Sequence, residues 1–321
     1  MNEDVRIPVT ILTGFLGSGK TTLLNRILHE KHGHRIAVIE NEFGEVGIDG
    51  DLLLQSEEQI VEMNNGCICC TVRDDLVQIL KSLPMRADGI ERVIIETTGL
   101  ADPGPVIQTF VAEPMIQMSY RLDSMVAMVD AVHANMQLQE YREAREQIAF
   151  ADRIFVTKSD LAGQSEVNAV KRMICDINPR TPVEEAYFGQ VPIDRVLDLH
   201  GFDLDAILKM EPDFLEDGHR HHHSDITSFV LRERFPLDPE KLEIWLSVLV
   251  ANFGRDMLRY KGVLNISGNP KRMVFQGVHM LMGATDSVLW QPDEPRDSVL
   301  VFIGRNLPRQ IFEDGFRKCL A

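Results

Sequence analysis

The sequence predicts an α/β protein built on a mostly parallel sheet and followed by a smaller α+β unit. Three observations predict it. Short apolar runs alternate with longer amphipathic ones through the first half of the chain, the pattern of strands joined by crossover helices. A glycine-rich loop, Gly14-Phe15-Leu16-Gly17-Ser18-Gly19-Lys20-Thr21, sits between the first strand pattern and the first helix pattern. Near residue 211 the composition turns acidic and turn-rich, and beyond it several strand patterns share only two helical ones.

Taken in order, Ile7 to Leu12 reads as a buried strand and Lys20 to Glu30 as a helix, with Leu23, Leu24, Ile27 and Leu28 at helical spacing. Arg35 to Glu40, Arg92 to Glu96, Met125 to Asp130 and Arg153 to Thr157 are further strand-length runs. Helical patterns separate them at Asp74 to Leu83, Pro105 to Phe110 and Glu166 to Ile177. Continuous apolar runs of this kind suit strands covered on both faces. The first domain is expected over residues 1–210. Residues 211–224, with Glu211 to Gly218 followed by His219-Arg220-His221-His222-His223, read as an exposed linker. The second domain is expected over residues 225–321. It has a strand at Asp225 to Phe235, a helix at Pro239 to Ala251, strands at Leu264 to Ile266, Arg272 to Gln276 and Ser298 to Ile303, and a last helix from Pro308.

A chain of 321 residues, 44% of them hydrophobic, is long and apolar enough for two cores. Its formal net charge of −16 argues against a nucleic-acid or anionic-membrane surface, which needs clustered Lys and Arg. The start, Met1 to Arg6, lacks the basic flank and apolar core of a signal peptide, and no run of 18 apolar residues offers a membrane span. A cytoplasmic protein is expected. Three of the five cysteines are bunched at Cys67, Cys69 and Cys70. A secreted disulfide framework spreads its cysteines, so these read as reduced thiols. Cys175 and Cys319 stand apart and read as core or incidental.

The glycine-rich loop matches G-x-x-x-x-G-K-[ST] in the strand-to-helix context that gives the motif its meaning. Gly14, Gly17 and Gly19 let backbone amides turn toward phosphates, Ser18 lies among them, and the helix N-terminus adds its positive end. Lys20 is placed to reach the β- and γ-phosphates, and Thr21 to ligate Mg²⁺. Thr157-Lys158-Ser159-Asp160 follows a late strand and is similar to the guanine-specifying N/T-K-x-D motif. The Asp160 carboxylate can accept from both N1–H and the exocyclic amine of guanine, and the Lys158 stem can lie over the base. Glu96-Thr97-Thr98-Gly99 ends another strand. An acid there can hold Mg²⁺, and Gly99 can offer its amide to a γ-phosphate and move when that group leaves. Asp is the commoner acid at such a position, so Glu96 departs from the usual pattern.

Cys67, Cys69 and Cys70 form one compact trio, not the two separated pairs of a closed structural zinc site. An incomplete shell finished by a carboxylate or water suits an ion that must leave. Glu40, Glu42 and Glu45 are the nearby candidates, and Glu42 serves equally in a Mg²⁺ shell. The same cysteines also fit a redox pair or small buried hydrophobes. His219, His221, His222 and His223 can hold a divalent ion loosely, and they equally fit a flexible linker with accidental affinity.

Together these motifs resemble the CobW-type P-loop GTPases, relatives of the nickel-insertion GTPases of hydrogenase and urease maturation. The resemblance rests on Gly14 to Thr21 with Thr22, Glu40-Asn41-Glu42-Phe43-Gly44-Glu45, Asn65-Gly66-Cys67-Ile68-Cys69-Cys70, Glu96 to Gly99 and Thr157 to Asp160. Arg259-Tyr260-Lys261-Gly262 and Phe275-Gln276-Gly277-Val278 extend it into the second unit, and the chain looks most like the bacterial YjiA-like branch. It implies a slow GTPase with GTP and Mg²⁺ as ligands and catalytic positions at Lys20, Thr21, Glu96 and Gly99. It also implies a nucleotide state linked to a transition metal, often zinc, and favours Glu40 and Glu45 with Cys69 as ligands. Cobalt and nickel suit the same donors. A metallochaperone or insertase with a client metalloprotein follows, with a homodimer left open. The rivals are an ATP-using kinase or ATPase on the same loop, and a non-enzymatic zinc buffer or thiol redox sensor with a vestigial nucleotide site.

Overall fold

The computed structural model describes residues 5–30, 32–40, 59–62, 76–83, 89–179, 181–201, 226–291 and 294–321, with 59–62 and 285–287 described by their backbone. The chain divides into two compact units, Met1–Ile174 with Thr181–Leu199, and Cys175–Arg180 with His200–Ala321.

In the first unit the elements run β1 (Ile7–Gly14), α1 (Lys20–His29), β2 (Ile36–Glu40), β3 (Gln59–Glu62), α2 (residues 76–83) and β4 (Arg92–Glu96). They continue with α3 (Gly104–Ala112), α4 (Pro114–Ser119), β5 (Tyr120–Asp130), α5 (Ala134–Glu140), α6 (Arg142–Phe150), β6 (Arg153–Thr157), α7 (Gln164–Ile177) and β7 (Val183–Ala186). Among the described residues the strands form one seven-stranded sheet in the order β3-β2-β4-β1-β5-β6-β7. Every neighbouring pair is parallel. The apolar runs are why: Val9, Ile11, Val38, Ile94, Val126 and Phe155 are all buried, as strands covered on both faces require. The apolar face of α1, Leu23, Leu24, Ile27 and Leu28, joins Val38, Ile94, Val126 and Phe155 in one core. Burying four such side chains contributes about 1.5–3 kcal/mol each. The chain reverses its direction across the sheet at β1, and the C-terminal ends of parallel strands beside such a reversal form the crevice where ligands bind.

Strands β3, β5 and β7 exceed or escape the sequence expectation. The strand expected at Met125 begins five residues earlier, at Tyr120. Asp123 and Ser124 interrupt the apolar pattern, yet both are fully buried, and Asp123 accepts from the Leu199 N–H at 3.1 Å and pairs with Arg121 at 3.3 Å. Edge strand β7 reads Val-Glu-Glu-Ala and carries no apolar signal, because Glu184 and Glu185 are matched by Arg195 and Lys171.

The second unit is a five-stranded antiparallel sheet, β11-β10-β9-β12-β8. Its elements are β8 (Ile226–Glu233), α8 (Pro239–Phe253), β9 (Met257–Leu264), β10 (Lys271–Val278), β11 (Leu281–Leu289), β12 (Ser298–Arg305) and α9 (Arg309–Arg317). Asp238 starts α8 by accepting from the Glu240 and Lys241 N–H groups at 2.9 and 3.1 Å, with Pro239 at the first helical position. Aromatic rings fill the core. Phe302 meets Phe312 edge-on at 5.0 Å and stacks on Tyr260 at 5.8 Å. The strand expected at Leu264 to Ile266 instead runs from Met257 to Leu264. Arg259 hid it: this arginine is buried and donates to the Gly201 carbonyl at 3.2 Å. Strand β11 was not foreseen. The expected linker, residues 211–224, lies outside the described residues. No helix among the described residues is long and apolar enough to cross a membrane.

Candidate functional site

The loop between β1 and α1 is shaped by backbone that only glycine tolerates. Gly14, Gly17 and Gly19 have φ of 141°, 72° and 95°. A side chain at Gly14 would also meet the Met128 carbonyl at 2.3 Å. Gly19 precedes α1 without a side-chain cap, so the first amides of the helix face the loop without an internal acceptor. Lys20 is buried, and its Nζ donates to the Gly14 and Phe15 carbonyls at 2.8 and 3.3 Å. Burial lowers its pKa, partly countered by the charge of Glu96. The Ser18 and Thr98 hydroxyls are buried and have no hydrogen-bond partner among the described residues. Such groups are costly unless a ligand satisfies them.

The polar ends of the parallel strands line the same crevice. Glu96 ends β4 in register with Leu12 of β1 and Glu40 of β2. Its Oε1 accepts from the Thr21 hydroxyl at 3.1 Å. A hydroxyl and a carboxylate meeting beside a phosphate cradle are hard oxygen donors of the kind Mg²⁺ takes. Thr97 ties this strand end to the loop, its N–H donating to the Leu12 carbonyl at 3.0 Å and its hydroxyl to Thr13 at 2.8 Å. Gly99 follows, and a Cβ there would lie 2.5 Å from the Leu16 amide nitrogen. Only glycine lets this segment approach the phosphate loop so closely. Gln147 of α6 donates to the Gly99 and Ala101 carbonyls at 3.1 and 3.2 Å and holds the segment from behind.

On the other side of β1, Thr157 donates to the Ser18 carbonyl at 2.8 Å, joining the end of β6 to the phosphate loop. Lys158 has left-handed backbone, φ 55°, and its Nζ donates to Asp130 at 2.8 Å. Asp160 is exposed and forms no hydrogen bond or ion pair among the described residues. Gly189, in the loop after β7, packs against Thr22 and Leu23 at the start of α1. The structure therefore gathers Gly14, Gly17, Ser18, Gly19, Lys20, Thr21, Thr22, Glu96, Gly99, Thr157, Lys158 and Asp160 at one end of one sheet, with Glu40 beside Glu96. Cys67, Cys69, Cys70, Glu42, Glu45, His219, His221, His222 and His223 lie outside the described residues. Among the described residues no group of three His, Cys, Asp or Glu forms a metal cluster.

Sequence reasoning missed Asp130, His133 and Gln147. Asp130 had a findable signal, an acid closing a buried strand as Glu96 does. Gln147 had none, because its importance comes from a helix meeting a distant loop.

This fold and cradle define a phosphate-loop nucleotide-binding protein. Residues 8–185 match the CobW/HypB/UreG nucleotide-binding domain, and residues 226–320 match the C-terminal domain of the cobalamin synthesis protein cobW. The chain belongs to the CobW family. It is 40% identical to the zinc chaperone YjiA of Escherichia coli K12 over 97% of its own length and 98% of that protein's. Identity to the zinc chaperone CobW of Pseudomonas aeruginosa is 33%, over 100% of this chain and 93% of the relative. The crystal structure of Zn(II)-bound YjiA GTPase from E. coli superposes with a TM-score of 0.79 at 36% identity, covering 100% of both chains.

Proposed function

We infer that this chain is a GTPase that takes up a transition metal ion, zinc, as cargo. It hydrolyses GTP to GDP and phosphate and couples its nucleotide state to binding the ion and delivering it to a client metalloprotein. One observation carries this. Glu40, a candidate ligand for the cargo, lies in register with Glu96, whose carboxylate holds the phosphate-loop Thr21. Adjacent parallel strands put these residues about 4.8 Å apart, so a change at the nucleotide is felt where the cargo segment begins.

The residues have defined tasks. The amides of Gly17 to Lys20 and the Lys20 ammonium bind the β- and γ-phosphates, the ammonium leaving the Gly14 and Phe15 carbonyls to do so. Thr21 and Glu96 would hold Mg²⁺, which would neutralise charge on the phosphate oxygens. Asp160 reads the guanine edge. Gly99 brings its amide to the γ-phosphate, and loss of that phosphate releases the segment held by Gln147. In this reaction class positioning and charge stabilisation supply most of the rate, so turnover without a partner's arginine is slow. The names of the relatives support zinc as the cargo, and thiolate with carboxylate donors at Cys67, Cys69, Cys70, Glu40 and Glu45 suit it. Cobalt and nickel bind the same donors.

The test is GTP turnover and zinc content of the wild type against a triple variant, Cys67→Ser, Cys69→Ser and Cys70→Ser, with GTP affinity measured with and without one equivalent of zinc. Zinc and GTP should alter each other's affinity by the same factor, and the triple variant should lose both the zinc and the coupling. GTP affinity indifferent to zinc sinks the coupling. Turnover that persists in Lys20→Ala makes the nucleotide site vestigial and leaves a buffer or redox sensor.

A further inference from the structure

Asp130 is a firmly held acid at this end of the sheet, and the nucleotide chemistry above gives it no task. It ends β5, is 1% exposed, and lies in register with Thr157. Its Oδ1 accepts from the Val132 N–H at 2.9 Å. Its Oδ2 accepts from Lys158 Nζ at 2.8 Å and meets His133 Nδ1 at 2.9 Å. Burial raises the pKa of this carboxyl, but the contacts from Lys158, His133 and Val132 outweigh burial and leave it below the ordinary value.

A carboxylate this buried is costly to desolvate, and its ion pair contributes little stability by itself. Its partner here is not an ordinary structural lysine. Lys158 follows Thr157, which is bonded to the phosphate loop, and stands two residues before Asp160. Its backbone is left-handed, an uncommon conformation for a residue with a side chain. Asp130 captures the ammonium tip, while the side chain as a whole stays 36% exposed. A lysine pinned at both ends presents its methylene stem as a fixed apolar shelf. Loosened at the tip, the same stem samples many rotamers, and ordering it on binding costs affinity.

We propose that Asp130 is a positioning residue for the nucleotide: it anchors the Lys158 ammonium so that the stem forms a ready-made shelf for the face of a purine ring, with His133 and the Val132 amide holding the carboxylate in place. This rests on Thr157 to Asp160 being the guanine site. Two properties separate the roles of the two acids. Asp130 acts through a ring-face contact and supports guanine and hypoxanthine alike. Asp160 reads the ring edge and favours guanine, whose exocyclic amine hypoxanthine lacks.

Calorimetric titration of the full chain with GDP and with IDP tests this. Asp130→Asn should weaken both nucleotides by the same factor, about threefold to tenfold, the order of the cost of immobilising one rotamer-rich side chain on binding. Lys158→Ala should weaken them similarly, and the double variant should bind no worse than Lys158→Ala alone, because one acts through the other. Lys158→Met keeps an apolar stem but has no ammonium to anchor. It should show the Asp130→Asn loss and keeps the test alive if Asp130→Asn does not fold. Wild-type affinity in Lys158→Met, or independent losses in the double variant, overturns the proposal. Failure of the guanine site is seen separately, as a GDP to IDP preference unchanged by Asp160→Asn. Coupling of Asp130 to Lys158 in that case would keep the shelf and reject its assigned base.

Discussion

The parallel sheet of the first unit carries Glu40, Glu96, Asp130 and Thr157 at its strand ends, whereas the antiparallel sheet of the second closes over Phe229, Tyr260, Phe302, Phe312 and Phe316. Among the described residues the buried acids, Asp123, Asp130 and Glu146, all belong to the first unit. Both units bury apolar side chains and bring backbone against backbone at glycines, Gly14 and Gly99 in the first and Gly262 and Gly304 in the second, but among the described residues only the first buries carboxylates, the buried charge of the second being Arg259. Buried carboxylates cost stability and are kept where a partner group or a ligand uses them. A ring-packed core contributes stability and offers little chemistry.

The contrast predicts where substitutions are felt. The largest effect should come from Phe302→Ala, which removes a fully buried ring set among four aromatic neighbours. Denaturant unfolding should show a loss of about 3–5 kcal/mol, with GDP affinity of the remaining folded protein unchanged. Altered GDP affinity would break the division of labour between the units. Gly99→Ala comes next. Its methyl has no room beside Leu16, so overpacking should cost about 1–3 kcal/mol, while turnover should fall on the order of 100-fold if, as proposed, this segment meets the γ-phosphate. A variant with full turnover would show that the approach of Gly99 to the loop is incidental.

The smallest effect is a pH dependence. The Asp130 carboxyl is held below its ordinary value in the folded protein. Its contribution to stability is therefore complete above the unfolded carboxyl pKa of about 4 and is lost as pH falls through the lower folded pKa. The gap in melting temperature between wild type and Asp130→Asn should be present at about pH 5 and shrink as the pH drops from about 4 toward 3. A gap that widens on acidification would mean that Asp130 is held neutral.

Much of this was legible in the chain, for reasons that differ by element. Strands β4 and β6 begin and end where their apolar runs do, and α1 follows from its spacing of leucines and isoleucine. Phosphate-loop chemistry was legible because glycine, lysine and threonine at fixed offsets leave few alternatives. Strand β9 was misplaced and β7 missed because Arg259, Glu184 and Glu185 look like surface residues until their partners are known. Asp123 concealed the start of β5 in the same way.

By itself the sequence determined the alternation of strand and helix and the cradle at Gly14 to Thr21, because periodicity and motif spacing are local properties. Which strands became neighbours was decided only in three dimensions. Strand order set Glu40 beside Glu96, Asp130 beside Thr157 and Gly99 against Leu16. Charged groups far apart in the chain become affordable inside the protein only when the sheet brings their partners to them, and no local pattern records that pairing.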